Sequence, residues 1–149
     1  MKSMPFDLRV CVVAVSVALL SACSSKPQVH DLNAYESNWM DGRRTVADGS
    51  KLKMIFDHDS QGLKIGRVDY KVYDGDLYLW PVRDSHPFEP VEFTLDTAPL
   101  KLHQPWQDHV YWVGAANYNT PLVGPVLNTN PLGDRVDRVK ADVTSDATK

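Results

Sequence analysis

The chain has 149 residues, with 16 Lys and Arg against 19 Asp and Glu and a net charge of −3. That mildly acidic, mixed balance excludes the basic footprint of a nucleic-acid binder and a polybasic patch for anionic lipid. The two cysteines, Cys11 and Cys23, both lie near the N-terminus, so no cluster of thiolates is present to bind a metal.

The first nine residues, MKSMPFDLR, carry Lys2 and Arg9, and an apolar run, VCVVAVSVALL, extends from Val10 to Leu20. A charged start, a short apolar stretch and a small-residue site make a secretory signal peptide over residues 1–22. The run is about half of the ~20 residues that span a bilayer, so it is not a transmembrane anchor. Leu20, Ser21 and Ala22 then place one aliphatic and two small residues directly before Cys23.

Leu20-Ser21-Ala22-Cys23 resembles the lipobox of bacterial lipoproteins. The resemblance covers the signal region alone. It implies cleavage before Cys23, a diacylglyceryl thioether on the Cys23 sulfur, and an acyl chain such as palmitate on the new amino group. Cysteine is required because its thiolate accepts the lipid, and several acyl chains together hold a protein stably to a membrane. Ser24 stands where an Asp, in the enterobacterial pattern, would imply inner-membrane retention. The expected location is therefore the outer membrane, with the periplasmic and surface faces both open. Cys11 leaves with the signal and Cys23 carries lipid, so no thiol remains for a disulfide, a metal or nucleophilic attack. Loss of Lys2, Asp7 and Arg9 leaves 14 basic and 18 acidic residues in 23–149, a net charge of −4. Those residues make one domain of ordinary size.

Residues 23–38 read as the lipidated cysteine and a polar tether, with packing beginning at Trp39-Met40 and a domain over 39–127. DGRRTVADGS (41–50) reads as a short strand between turns. In KLKMIFD, Leu52, Met54 and Phe56 alternate with Lys51, Lys53 and Asp57, the period of a half-buried strand. After the turn HDSQG, RVDYKVY alternates again, and Asp74-Gly75 separates it from DLYLWPVR. Asp-Gly between two alternating runs predicts a two-residue hairpin, because a type I′ turn needs positive φ at both central residues. Tyr73 then faces Asp76, Val72 faces Leu77 and Tyr70 faces Leu79, with Lys71/Tyr78 and Asp69/Trp80 on the opposite face. Pro81 lacks a ladder donor and puts the end of its strand at an edge or a bulge.

Beyond the loop DSHPFEP, VEFTLD points Val91, Phe93 and Leu95 inward. LKL (100–102) reads as a short strand, HQPWQD as a turn, HVYWVGA (109–115) as a strand buried on both faces, and PLVGPV (121–126) as a last edge strand. About seven short strands with frequent Pro/Gly turns predict an all-β, antiparallel β-sandwich, Ig-like or related, with a small β-barrel as the alternative. Residues 128–149 become charged and lose aromatics. Leu132, Val136, Val139 and Val143 fall at helical spacing behind Asn130 and Pro131, which leaves two readings, a disordered tail or a short docked helix.

No catalytic constellation emerges. Asp57, Asp59 and Gly62 occupy positions of a calcium loop, but Gln61 and Val68 stand where further ligands belong, and a polar turn is the better reading. His30, His58, His86, His103 and His109 include no pair at chelating spacing. His103 and His109 flank one turn, yet a third zinc ligand is not identifiable. Asp84-Ser85-His86 holds the letters of a hydrolase triad without an elbow to present the serine. Glu89 and Glu92 flank Pro90 in polar surroundings with nothing to raise a pKa.

The aromatics carry more information. Tyr78, Trp80, Trp106, Tyr111 and Trp112 are dense for a domain of this size, and exposed Tyr and Trp mark binding surfaces. Tyr78, Trp80, Trp106 and Trp112 are the candidate binding residues. The expected function is a non-catalytic envelope lipoprotein, anchored by Cys23, that binds a protein partner and needs no cofactor. A glycan- or peptidoglycan-binding module stacking on Tyr78 and Trp80 is the alternative, and a small hydrolase is third.

Overall fold

The computed structural model describes residues 26–33, 42–113 and 135–146. Cys23 and the signal segment, Trp39-Met40, the expected strand at 121–126 and the expected helix start at Asn130-Pro131 lie outside them.

Among the described residues the chain forms β1 (Gln28–Asp31), β2 (Arg43–Asp48), β3 (Lys51–Phe56), β4 (Leu63–Tyr73), β5 (Asp76–Pro87), β6 (Val91–Asp96), β7 (Val110–Val113), β8 (Arg135–Lys140) and β9 (Val143–Ser145). They make two sheets, in the orders β1-β8-β7-β5-β4 and β6-β3-β2-β9. The architecture is the expected all-β sandwich rather than a closed barrel. It is not purely antiparallel, because β1 with β8, β2 with β9, and β5 with β7 run parallel.

The hairpin forms as its turn chemistry dictates. Asp74 and Gly75 hold φ of 50° and 79°, and Tyr73 faces Asp76, Val72 faces Leu77 and Tyr70 faces Leu79. Glycine is required at position 75 for a second reason. A Cβ there would clash with the His103 ring, while the His103 N–H donates to the Gly75 carbonyl at 2.9 Å.

Leu52, Met54 and Phe56 bury one face of β3 against Leu77 and Leu79 of β5 and Trp112 of β7. Phe56 lies at the centre, edge-on to Phe93 at 6.0 Å and to Trp112 at 5.8 Å. Val91, Phe93 and Leu95 pack half-buried beside it, with Glu92 and Thr94 exposed on the other face of β6. The expected alternation therefore builds most of this core.

Some boundaries differ. β5 runs on through Asp84–Pro87, taking in most of the expected loop. Its pairing to β7 stops at Leu79, so the missing donor of Pro81 interrupts no ladder there, and β4 opposite is bulged between Leu63 and Arg67. Residues 100–102 are not a strand. Leu100 and Leu102 instead pack on the core from a loop, and the turn after them ends in a 3-10 turn, Trp106–His109.

The tail is the larger correction. It is neither disordered nor helical where described, but supplies one strand to each sheet. Spacing of three suits a strand covered on both faces: Val136 is buried on the outer side of its sheet, and Val139 sits opposite Trp112 on the inner side. Ala141, 3% exposed, carries the chain from one sheet to the other, and the Thr45 hydroxyl fixes the crossing by donating to the Asp142 carbonyl at 2.8 Å. Part of the expected tether is likewise structured, because β1 pairs with β8 in register from Gln28 to Asp31. The domain therefore extends beyond 39–127 at both ends.

Candidate functional site

Of the four candidate binding aromatics, three are interior. Tyr78 and Trp112 are each 1% exposed and Trp106 is 9% exposed. This corrects the expectation that these rings line a surface. Trp112 is a core ring beside Phe56, and the Arg43 guanidinium lies 5.2 Å from its centroid. Trp106 packs into the same core from the 3-10 turn. Tyr78 does leave the Leu77/Leu79 face as its register requires, but a second cluster with Val113 and Val136 covers it. Trp80 alone of the four is partly exposed, and it too packs against that second cluster.

Burying Tyr78 requires a partner for its hydroxyl, and β8 supplies one. Arg138 Nη1 donates to the Tyr78 hydroxyl and to Asp76, both at 2.8 Å. Its Nε donates to Asp31 at 2.6 Å. The guanidinium lies 3.7 Å from the centroid of Tyr111, whose ring stacks on Tyr78 at 5.8 Å. Burial alone would lower the Arg138 pKa. Hydrogen bonds to Asp31 and Asp76 outweigh it and raise the pKa, so the charge is permanent. One residue thereby joins β1, β8 and β5.

The same network continues toward the turn. Asp76 Oδ1 meets His109 Nδ1 at 2.8 Å, and the His109 and His103 rings lie 5.1 Å apart. The two histidines do converge. Among the described residues, however, no three His, Cys, Asp or Glu gather as metal ligands, and the second oxygen of Asp76 is taken by Arg138.

The other chemical candidates have structural occupations. Asp59 Oδ2 accepts the Gln61 and Leu63 N–H groups, each at 3.1 Å, and Oδ1 accepts Arg83 Nε at 2.8 Å. It closes the β3–β4 turn as an Asx motif. Asp84 Oδ1 accepts the His86 N–H at 2.8 Å and meets His86 Nδ1 at 3.1 Å. Residues two apart share a strand face, so these side chains meet, and Ser85 faces the other way. Glu89 is exposed and paired with Lys64, and Glu92 is exposed.

A further candidate is the outer edge of β4, where Arg67 Nε donates to Asp69 Oδ1 at 2.8 Å within the strand. Among the described residues β4 ends its sheet. In a two-residue hairpin the residues beside the turn exchange both hydrogen bonds. Alternation then assigns Tyr73, Asp69 and Lys71 to the ladder with β5 and turns the N–H and C=O groups of Val68, Tyr70 and Val72 outward. An open hollow of about 440 Å³ lies here, lined by Val68, Asp69, Tyr70, Lys71 and Trp80. Tyr70 is 47% exposed, one of two large apolar residues so exposed among those described, the other being Val29 at 41%. The alternation of β4 correctly gives Tyr70 the Leu79 face. Its exposure follows from β4 being an edge strand, which no local pattern announces.

Comparison of the chain with protein-family models, with curated proteins and with solved structures gives no match.

Proposed function

We propose that this protein is a non-catalytic lipoprotein of the bacterial envelope, anchored through Cys23, that binds a protein partner along the edge of β4. The observation that supports binding is the hollow at that edge, where outward-facing backbone groups lie between a partly buried tryptophan and an exposed tyrosine. Main-chain groups on a free strand edge give affinity for an extended segment, and flanking side chains select it. The acids, bases and histidines with defined partners are engaged in ion pairs and turns, which favours recognition over chemistry. The lipobox resemblance supports the anchor and the outer-membrane location.

Two measurements test the two halves. Cys23→Ser should abolish acyl labelling and move the protein from the membrane to the soluble fraction. Acyl label on that variant would refute the anchor. For binding, the tagged full chain recovered from membranes in mild detergent should bring down one protein in stoichiometric amount, whether another chain or an untagged copy of this one. Trp80→Ala should weaken that association by about 2 kcal/mol, the scale of an aromatic hot spot, with a smaller fall in melting temperature than truncation of a core ring, since Trp80 is only partly buried. Retention on purified peptidoglycan with no protein recovered would favour a glycan-binding module instead.

A further inference from the structure

We infer that the partner at the β4 edge is a second copy of this chain, paired antiparallel to the first about a two-fold axis at Tyr70. The inference rests on reading that edge as the binding surface and goes on to name its occupant.

Two geometric conditions limit such pairing. Outward-facing backbone groups must meet outward-facing groups, and side chains must stay on their own faces. A symmetric antiparallel pair meets both conditions only when the axis passes through a residue rather than between two. An axis at Asp69 sets Asp69 against Asp69 and Arg67 against Lys71. An axis at Lys71 sets Lys71 against Lys71. Like charges directly opposite are unfavourable. An axis at Val68 draws in the bulged stretch between Leu63 and Arg67, and an axis at Val72 draws in the hairpin turn.

The axis at Tyr70 avoids all four problems. Asp69 of each copy, which accepts from Arg67 Nε at 2.8 Å within its own strand, then also faces Lys71 of the other. Each carboxylate lies between two cations, and the two opposite-charge pairs are related by symmetry. Val68 faces Val72 twice, and Tyr70 faces Tyr70. The apolar pairs share one face and the charged pairs the other, since Asp69 and Lys71 lie on the Trp80 side of the sheet. Lysine on an edge strand ordinarily blocks pairing with another chain. Here the same strand carries the matching aspartate two residues away. Pairing would also cover Tyr70, which is 47% exposed in the single chain. Such an interface uses the same patch on both copies, as two-fold symmetry requires.

The register can be tested directly in the full chain expressed in the oxidising envelope. Paired residues that exchange both hydrogen bonds have Cα atoms about 5.5 Å apart, within disulfide reach. Tyr70→Cys should therefore give a reducible covalent dimer that wild type does not form. Lys71→Cys, displaced along the strand from its symmetry mate by about two residues, should not. In a second arm, Lys71→Asp should raise the dimer dissociation constant roughly tenfold, and adding Asp69→Lys should restore it by exchanging the charges. Sedimentation in detergent reads that arm even if the cysteine variants fold poorly. No disulfide at Tyr70 in a folded protein, equal disulfides at both positions, or a charge exchange that fails to restore association would overturn the inference. Recovery of a different stoichiometric protein without the Tyr70 disulfide would overturn the second copy while leaving the binding edge standing. A chain that is monomeric and recovers no protein would remove both.

Discussion

Trp112→Ala should lower the stability of the domain by about 3–5 kcal/mol, the cost of removing a large buried ring whose site collapses only partly. Trp112 is 1% exposed and stands edge-on to Phe56 at 5.8 Å. It also faces Val139 across β7 and β8 and Leu79 across β7 and β5. Its removal therefore loosens three strands at once, including the one carried by the C-terminal segment. Arg43 adds to the cost, because its guanidinium lies 5.2 Å from the ring and loses a cation–π partner. The measurement is a denaturant or thermal melt beside Trp80→Ala. A small loss for Trp112→Ala with a large one for Trp80→Ala would reverse the assignment of core and surface made from burial. The expected order is a large loss at position 112 and a smaller one at position 80, where the ring is only partly buried.

The contrast between these two tryptophans shows what local pattern does and does not encode. Antiparallel neighbours joined by a short turn are legible because the turn fixes the register. Asp74-Gly75 thereby specifies the pairs down to Asp69/Trp80, and the alternation of Leu52, Met54 and Phe56 specifies the core face of β3. Parallel partners have no such marker. β1 and β8 are joined through Arg138 and Asp31, which lie 107 positions apart, and QVHD holds one apolar residue to suggest a strand. Tyr78 and Trp80 share a face by register, and the sequence placed them together correctly. Which of them is covered depends on Arg138 and Val136, brought alongside by a strand that helical spacing disguises. The exposure of Tyr70 has the same origin. Its face follows from alternation, whereas its position at the margin of a sheet follows from the order of strands that lie far apart in the chain.

Asp59→Ala should cost about 3 kcal/mol, at the lower end of the range for removing one partner of a buried ion pair. The lower end applies because the Arg83 side chain is 20% exposed and can recover some water, although that of Asp59 is only 4% exposed. The loss combines the ion pair with two N–H acceptors that hold the turn leading into β4. Asp59→Asn separates these contributions, since an amide oxygen can still accept from the turn but carries no charge. Acidity provides an independent check. Burial pushes the Asp59 carboxyl up, but the Arg83 hydrogen bond and the Leu63 and Gln61 N–H groups outweigh it and hold the folded pKa below its usual value. The unfolded chain then binds the proton more readily, so this contribution to stability is fully present above the unfolded value of about 3.9. It is lost as pH falls through the depressed folded value. Wild type should therefore shed stability below about pH 4 more steeply than Asp59→Asn, and the gap between them should narrow with acid. Parallel pH profiles for the two proteins would show that the Arg83 pair contributes no stability, leaving Asp59 as a turn residue alone.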